Sequence, residues 1–256
     1  MWMNESMAGR ITKLLCMGLF ITGAFLTPAT YANSADFKTG YRAYQRGDFA
    51  AAAKEWLALA EAGNTKAQYN VGILFDQGKG VQQDRAEAVS WWRRSAESGF
   101  RMAQHNLANA YIAGDGVEQS YKDAVHWLQR ASEAGLNRSR YPLGKMYHYG
   151  LGVEMDVKRA AILYLAAAET GLDKAQYNLA KAYRDGDGVA QDHALSVKWF
   201  RRAAEQGYTK AQNHLATRYA RGQGITADMV EAYKWMSLAA QRGHSQAKEN
   251  LKALVR

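Results

Sequence analysis

The chain has 256 residues, a net charge of +9 and a single cysteine, Cys16. One cysteine excludes an intramolecular disulfide and any site built from several thiolates, so the fold must rest on packing. The positive balance favours acidic partners, and the length suits one continuous array.

The amino end reads as a leader. Arg10 and Lys13 precede an apolar run from Leu14 to Leu26, followed by Pro28 and Thr30-Tyr31-Ala32. This is the pattern of a secretory signal peptide, residues 1–32, cleaved after Ala32. The run is short for a membrane span of about 20 residues, and an uncleaved anchor is the alternative. Lipidation at Cys16 is discounted because Leu15, not a small residue, precedes it. Cleavage would remove Glu5, Arg10 and Lys13, leaving +8 and no cysteine. The expected location is the bacterial periplasm or outside the cell, which weighs against nucleic acid as a partner.

From Ala67 onward one word recurs five times at a spacing of 36 residues, starting at Ala67, Ala103, Ser139, Ala175 and Ala211. The fifth position is Val71, Leu107, Leu143, Leu179 or Leu215, and the ninth is Phe75, Tyr111, Tyr147, Tyr183 or Tyr219. These form one apolar stripe of a first helix. A glycine pair follows in each word, from Gly78 and Gly80 to Gly222 and Gly224, and predicts a left-handed helix end and a chain reversal. Asp84, Ser120, Asp156, Asp192 and Asp228 are good N-caps for a second helix. Asp84 with Glu87 and Asp228 with Glu231 also fit a capping box. The second helix carries Trp91, Trp127, Leu163, Trp199 or Trp235 on its apolar stripe, and a glycine from Gly99 to Gly243 closes each unit. A single hairpin cannot bury its own apolar face, so neighbours must stack. The prediction is an all-α, right-handed α-solenoid, with the Trp side chains supplying much of the contact between repeats.

The pattern Ala-x-x-x-Leu-Gly-x-x-Tyr-x-x-Gly-x-Gly-Val-x-x-Asp, then Ala-x-x-Trp and a closing Gly, resembles the Sel-one-like repeat, a longer-looped relative of the tetratricopeptide repeat. The resemblance covers residues 67–246. Ahead of it, Gly40, Gly47-Asp48-Phe49, Ala52 and Trp56 resemble a tetratricopeptide unit over residues 33–66. Ala247 and Leu251 restart the pattern, and residues 247–256 read as a helix covering the last apolar face. The third repeat departs from the others, with Ser139, Pro142 and Leu163 at recurring positions, and is where a bend or altered groove is expected.

No motif for chemistry emerges. The six histidines make no metal-binding spacing, and Asp185-Gly-Asp187-Gly lacks the downstream Glu of a calcium loop. The glycine pairs follow helices, not strands, and lack the lysine of a phosphate loop. No cofactor, metal or catalytic residue is expected. The family resemblance implies that the first helices line a concave groove. The positions implied to face it are Lys66, Tyr69, Arg138, Tyr141, Lys145, His148, Tyr149, Lys174, Tyr177, Lys181, Arg184, Lys210 and Arg221, with Asp76 and Asp185 as the acids among them. The expected function is a non-catalytic scaffold that binds an acidic or extended protein segment. Cell-envelope polysaccharide or peptidoglycan binding is the alternative, and an enzyme of wall turnover or β-lactam binding is a third reading. Against all three stands a plain one: the basic residues only keep a helix face soluble, and the tyrosines pack along seams between repeats.

Overall fold

The computed structural model describes residues 35–254. The leader read over residues 1–32 lies outside them. The described residues form thirteen α-helices and no strand, an all-α repeat solenoid. Helices α1 (Phe37–Gln45) and α2 (Phe49–Glu61) make a hairpin ahead of the repeats. The repeats follow as α3 (Thr65–Gln77) with α4 (Arg85–Glu97), α5 (Arg101–Ala113) with α6 (Tyr121–Glu133), and α7 (Arg140–Tyr149) with α8 (Val157–Ala168). Then come α9 (Asp173–Asp185) with α10 (His193–Glu205), α11 (Thr209–Arg221) with α12 (Met229–Gln241), and a last helix, α13 (Ser245–Leu254).

The local signals act as their chemistry requires. Gly78, Gly114, Gly150, Gly186 and Gly222 end the first helices in the left-handed region, with φ between 64° and 73°. Each second helix is N-capped by its predicted Asp or Ser, whose side chain accepts from the backbone N–H three residues on. The capping box forms only in half. The N–H groups of Asp84 and Asp228 donate to the carbonyls of Phe75 and Tyr219 in the first helix, which leaves no donor for a reciprocal bond from Glu87 or Glu231. Glu231 accepts from the Trp235 indole instead, at 2.9 Å.

Stacking is built from columns that recur across the repeats. Alanines at the word starts and the leucines after them are fully buried, and Trp91, Trp127, Trp199 and Trp235 are 1–9% exposed. Two apolar clusters, one from Ala43 to Trp91 and one from Ala88 to Ala247, both draw on α4. The glutamine amides inside this core donate to backbone: Gln68, Gln104, Gln176 and Gln212 bond the carbonyls of Ala60, Ala96, Ala168 and Ala204 in the preceding hairpin, while the Oε1 atoms of Gln68, Gln104 and Gln212 are buried without a donor among the described residues. Tyrosine hydroxyls also reach across seams, accepting from Arg93 at Tyr111, Gln129 at Tyr147 and Arg201 at Tyr219.

The second glycine of each pair has a role that the turn alone does not require. A Cβ on Gly116 would collide with the backbone of Arg85, at the start of the preceding repeat's second helix. Gly80, Gly152, Gly188 and Gly224 meet Phe49, Tyr121, Val157 and His193 in the same way. These glycines let one repeat's turn seat on its neighbour.

In the third repeat a 3-10 turn, Asn137–Ser139, replaces the first turn of the first helix. Pro142 explains this: it has no N–H to donate to a carbonyl four residues back, so regular helix starts at Arg140. Arg140 also occupies the column that holds the buried glutamines elsewhere.

Candidate functional site

The polar faces of α3, α5, α7, α9 and α11 carry the residues singled out from the sequence. Lys66, Arg138, Lys145, Lys174, Lys210 and Arg221 are exposed, as is Tyr149. Lys181, Arg184 and His148 are half-buried. The other tyrosines are half-buried and committed to ring contacts: Tyr69 on Phe100 at 5.2 Å, Tyr141 on Tyr164 at 6.0 Å, and Tyr177 on Tyr208 at 5.2 Å. Tyr141 also accepts a hydrogen bond from Asn178 of the next repeat at 3.2 Å. Much of the aromatic column therefore packs along seams. Burial pushes the Tyr141, Tyr164, Tyr177 and Tyr208 hydroxyls up, so all stay protonated at neutral pH.

Two clefts open on this face, and they are the same place in different repeats. One, of about 150 Å³, lies between repeats three and four and is lined by His148, Val157, Tyr164, Asn178, Lys181 and Asp187, with Ala161, Ala182 and Asp185. The other, of about 300 Å³, lies between repeats one and two; Asp76, Arg85, Trp92, Asn106, Asn109 and Asp115 fill the corresponding columns. Each contains a polar pair across the seam: Arg85 Nη1 stands 3.0 Å from Asp115 Oδ1, an ion pair, and His148 Nδ1 stands 3.3 Å from Asp187 Oδ2. Between repeats two and three the same columns hold Ile112, Tyr121 and Leu151, which pack against the core.

The seam between repeats four and five is cationic. Its columns hold Arg184, His193, Phe200, His214, Arg218, Arg221 and Gln223. Arg184 is clamped by its neighbour Asp185 through two parallel bonds, Nε to Oδ1 at 2.7 Å and Nη2 to Oδ2 at 2.6 Å. That pairing, with Lys181 and Arg218 nearby, holds the Asp185 carboxyl below the usual carboxylate range. His214 stacks on Phe200 with ring centroids 5.0 Å apart. Burial, then Arg184, Arg218 and Lys181, push its pKa down to about 4, so it is neutral at pH 7. His105 behaves alike: burial and Arg138 hold it at about 4, while its ring bonds to Ser139 and Asn109.

The structure thus brings Tyr141, His148, Lys181 and Arg184 to neighbouring seams, with Arg221 beyond them, whereas Lys66 and Tyr69 belong to the first repeat. Sequence reasoning missed Arg218. It is 8% exposed in a column otherwise filled by Leu74, Ala110, Met146 and Ala182. One charge in an apolar column was the signal available for it. No group of His, Cys, Asp and Glu that could hold a metal ion occurs among the described residues.

The architecture defines an α-helical repeat protein of the tetratricopeptide-like class. The Sel1 repeat family model matches residues 65–100, 101–136, 138–172, 173–208 and 209–244, and the chain belongs to that family. The matched third unit starts at 138, where the 3-10 turn displaces the helix start. Two solved structures resemble the chain over 88% of its length. One is c5321, a protective antigen of uropathogenic Escherichia coli with 33% identity and a TM-score of 0.81. The other is a Sel1 repeat protein from Oxalobacter formigenes, with 29% identity and a TM-score of 0.77 over 88% of that chain. The match spans about half of c5321, 51% of its chain. No curated protein matches. Sel1 repeat proteins are generally non-catalytic scaffolds for protein interaction.

Proposed function

We propose that the protein is a non-catalytic scaffold of the bacterial periplasm or cell exterior, which holds a partner protein by an acidic, extended segment laid along the first-helix face. The observation that carries this reading is the run of positive charge from Lys145 through Lys181 and Arg184 to Arg221, joined by Arg218 and outnumbering the carboxylates of Asp185 and Asp187 that lie within it. Extended binding suits a face repeated at regular intervals along a stack. Arginine and tyrosine are also the side chains that most often dominate protein interfaces.

The leader-like sequence, Arg10 and Lys13 before the run Leu14–Leu26, supports the location, as does similarity to a protein described as a protective antigen. Among the described residues no helix is long and apolar enough to cross a membrane. Protein is preferred over polysaccharide because Tyr69, Tyr141 and Tyr177 already spend ring surface on Phe100, Tyr164 and Tyr208. Fewer flat faces are left for sugar rings.

The test is crosslinking in intact cells from positions near Tyr141 and Tyr149, followed by mass spectrometry of the attached protein. Replacing Lys145, Lys181 and Arg184 by Glu should weaken capture of that protein by at least about tenfold, as expected when several like charges are reversed. The far-UV circular dichroism and melting temperature should be retained. Undiminished capture, or retention on purified wall polymer in place of any protein, refutes the proposal.

A further inference from the structure

We propose that the seam between repeats four and five is a subsite for one carboxylate side chain of the partner, taken by Arg218 with Arg184, Lys181 and Arg221 around it. The proposal rests on the protein-binding reading of this face and adds the place and chemistry of one contact.

A missing acid carries the argument. At the seam between repeats one and two, the turn after the first helix supplies Asp115, which pairs with Arg85. At the seam between repeats three and four the same position supplies Asp187, which faces His148. At the seam between repeats four and five that position is Gln223, a neutral amide, although this seam holds more cationic side chains. The acid that those two polar seams provide internally is absent here, and the seam between repeats two and three, with Leu151 in that column, has no cation of its own turn to pair.

Arg218 shows the consequence. A buried guanidinium is costly unless its donors are met by an anion or several acceptors. Arg218 is 8% exposed, and its acceptor among the described residues is Gln223 Oε1, 2.8 Å from Nη1. The Nε–Nη2 edge, the edge that matches two carboxylate oxygens, has no acceptor among the described residues and is not closed off from solvent, so an incoming acid can reach it. Asp185 does not fill it, because both of its oxygens are bonded to Arg184. Burial and the neighbouring Arg184 lower the pKa of Arg218, as expected for a cation held beside a cation. With His214 neutral, Lys181, Arg184 and Arg218 face Asp185 with positive charge in excess, and exposed Arg221 adjoins them.

A carboxylate fits better than a bulkier anion for two reasons. The free edge of Arg218 offers two donors in one plane. The same cluster already holds a carboxylate, Asp185, in this bidentate manner on Arg184. An incoming acid would bind Arg218 directly and compete with Asp185 for Arg184.

Fluorescence anisotropy of a labelled hexaglutamate peptide with the full chain tests this. Arg218→Gln should weaken binding by about tenfold, the scale of one charge-assisted bidentate contact. Asp185→Asn, which removes the internal competitor, should tighten it by roughly threefold to tenfold. A role confined to folding would not produce that gain. Where Arg218→Gln does not fold, Asp185→Asn and Arg221→Gln carry the test, the latter with an expected loss. If Asp185→Asn and Arg218→Gln leave affinity unchanged while Lys145→Glu with Lys174→Glu abolishes binding, the subsite falls and the binding face stands. No peptide binding to the unsubstituted protein overturns both. Displacement of the peptide by inorganic phosphate, where chloride at equal ionic strength is ineffective, makes the seam a phosphate site and overturns the carboxylate assignment.

Discussion

Substituting Gly116 by Ala tests how the repeats are joined. Gly116 has φ +74°, and a Cβ there would run into the backbone carbonyl of Arg85 in the preceding repeat. Gly99 makes a matched control: its φ is +87°, and a Cβ there meets nothing within 4 Å. Both substitutions incur the left-handed penalty of an L-residue, roughly 1–2 kcal/mol. Gly116→Ala must also push one repeat's turn off its neighbour, and the cost of overpacking adds roughly 1–3 kcal/mol. The expected loss is thus about 2–5 kcal/mol against about 1–2 kcal/mol, a large part of a typical stability of roughly 5–15 kcal/mol. Urea titration followed by tryptophan fluorescence measures it, since Trp91, Trp92 and Trp127 are buried in the two repeats concerned. A lowered midpoint with a reduced slope would show the array separating at this seam, because stacked repeats couple only to their neighbours. Equal losses for Gly116→Ala and Gly99→Ala, within about 0.5 kcal/mol, would refute the close approach as the reason for the second glycine.

Acid should destabilise the fold early. The folded pKa values of His105 and His214, about 4, lie below the unfolded value of 6.5. The unfolded chain therefore binds more protons in this window. Stability is full above about pH 6.5 and is lost as the pH falls toward 4; urea midpoints across that range should decline, and His105→Gln with His214→Gln should flatten the decline. Asp36 and Asp185, with carboxyls held below their usual range, add a loss at lower pH. Gln104→Ala should cost roughly 0.5–1.5 kcal/mol by calorimetry or urea titration, the net value of one hydrogen bond, because the Ala96 carbonyl loses its side-chain donor but keeps the Gly99 N–H. An unchanged midpoint would show that this bond contributes nothing to the seam.

The period made the fold legible, because features that recur in register were each set by backbone geometry or by a column of the core. Helix limits, left-handed helix ends and N-caps all belong to a single hairpin and can be read locally. Contacts between hairpins were less legible. The second glycine reads as part of a turn, yet its constraint is the Arg85 carbonyl, 31 residues earlier in the chain. The capping box fails at Asp84 because the Phe75 carbonyl takes the N–H that the motif needs. At the candidate site, column reading found Lys181 and Arg184 but treated exposed and packed tyrosines alike. Whether Tyr177 faces outward depends on Tyr208 and His214 from the next repeat. Arg218 was hidden because its column is a core column in every other repeat.

The seams show how one backbone can carry several chemistries. Recurring alanines, leucines and glycines fix the distance between hairpins, so the side chains that line each seam are held in common positions whatever their type. Between repeats one and two those positions are occupied by Trp92 and a closed Arg85–Asp115 pair. Between two and three they are apolar, with Ile112, Tyr121 and Leu151. Between three and four they hold His148 with Asp187, above Tyr164. Between four and five the cations lack the acid from the turn. A seam with its charges paired internally has little to offer a ligand, since binding would have to break that pair first. A seam that buries a guanidinium beside another, with a bidentate edge open, gains most from an acid supplied from outside. Placing Asp at position 223 should then do what its counterparts Asp115 and Asp187 do: raise the urea midpoint by pairing with Arg218, and weaken an acidic peptide by occupying its place. A Gln223→Asp variant that gains stability without losing peptide affinity would separate the two roles and refute their common origin.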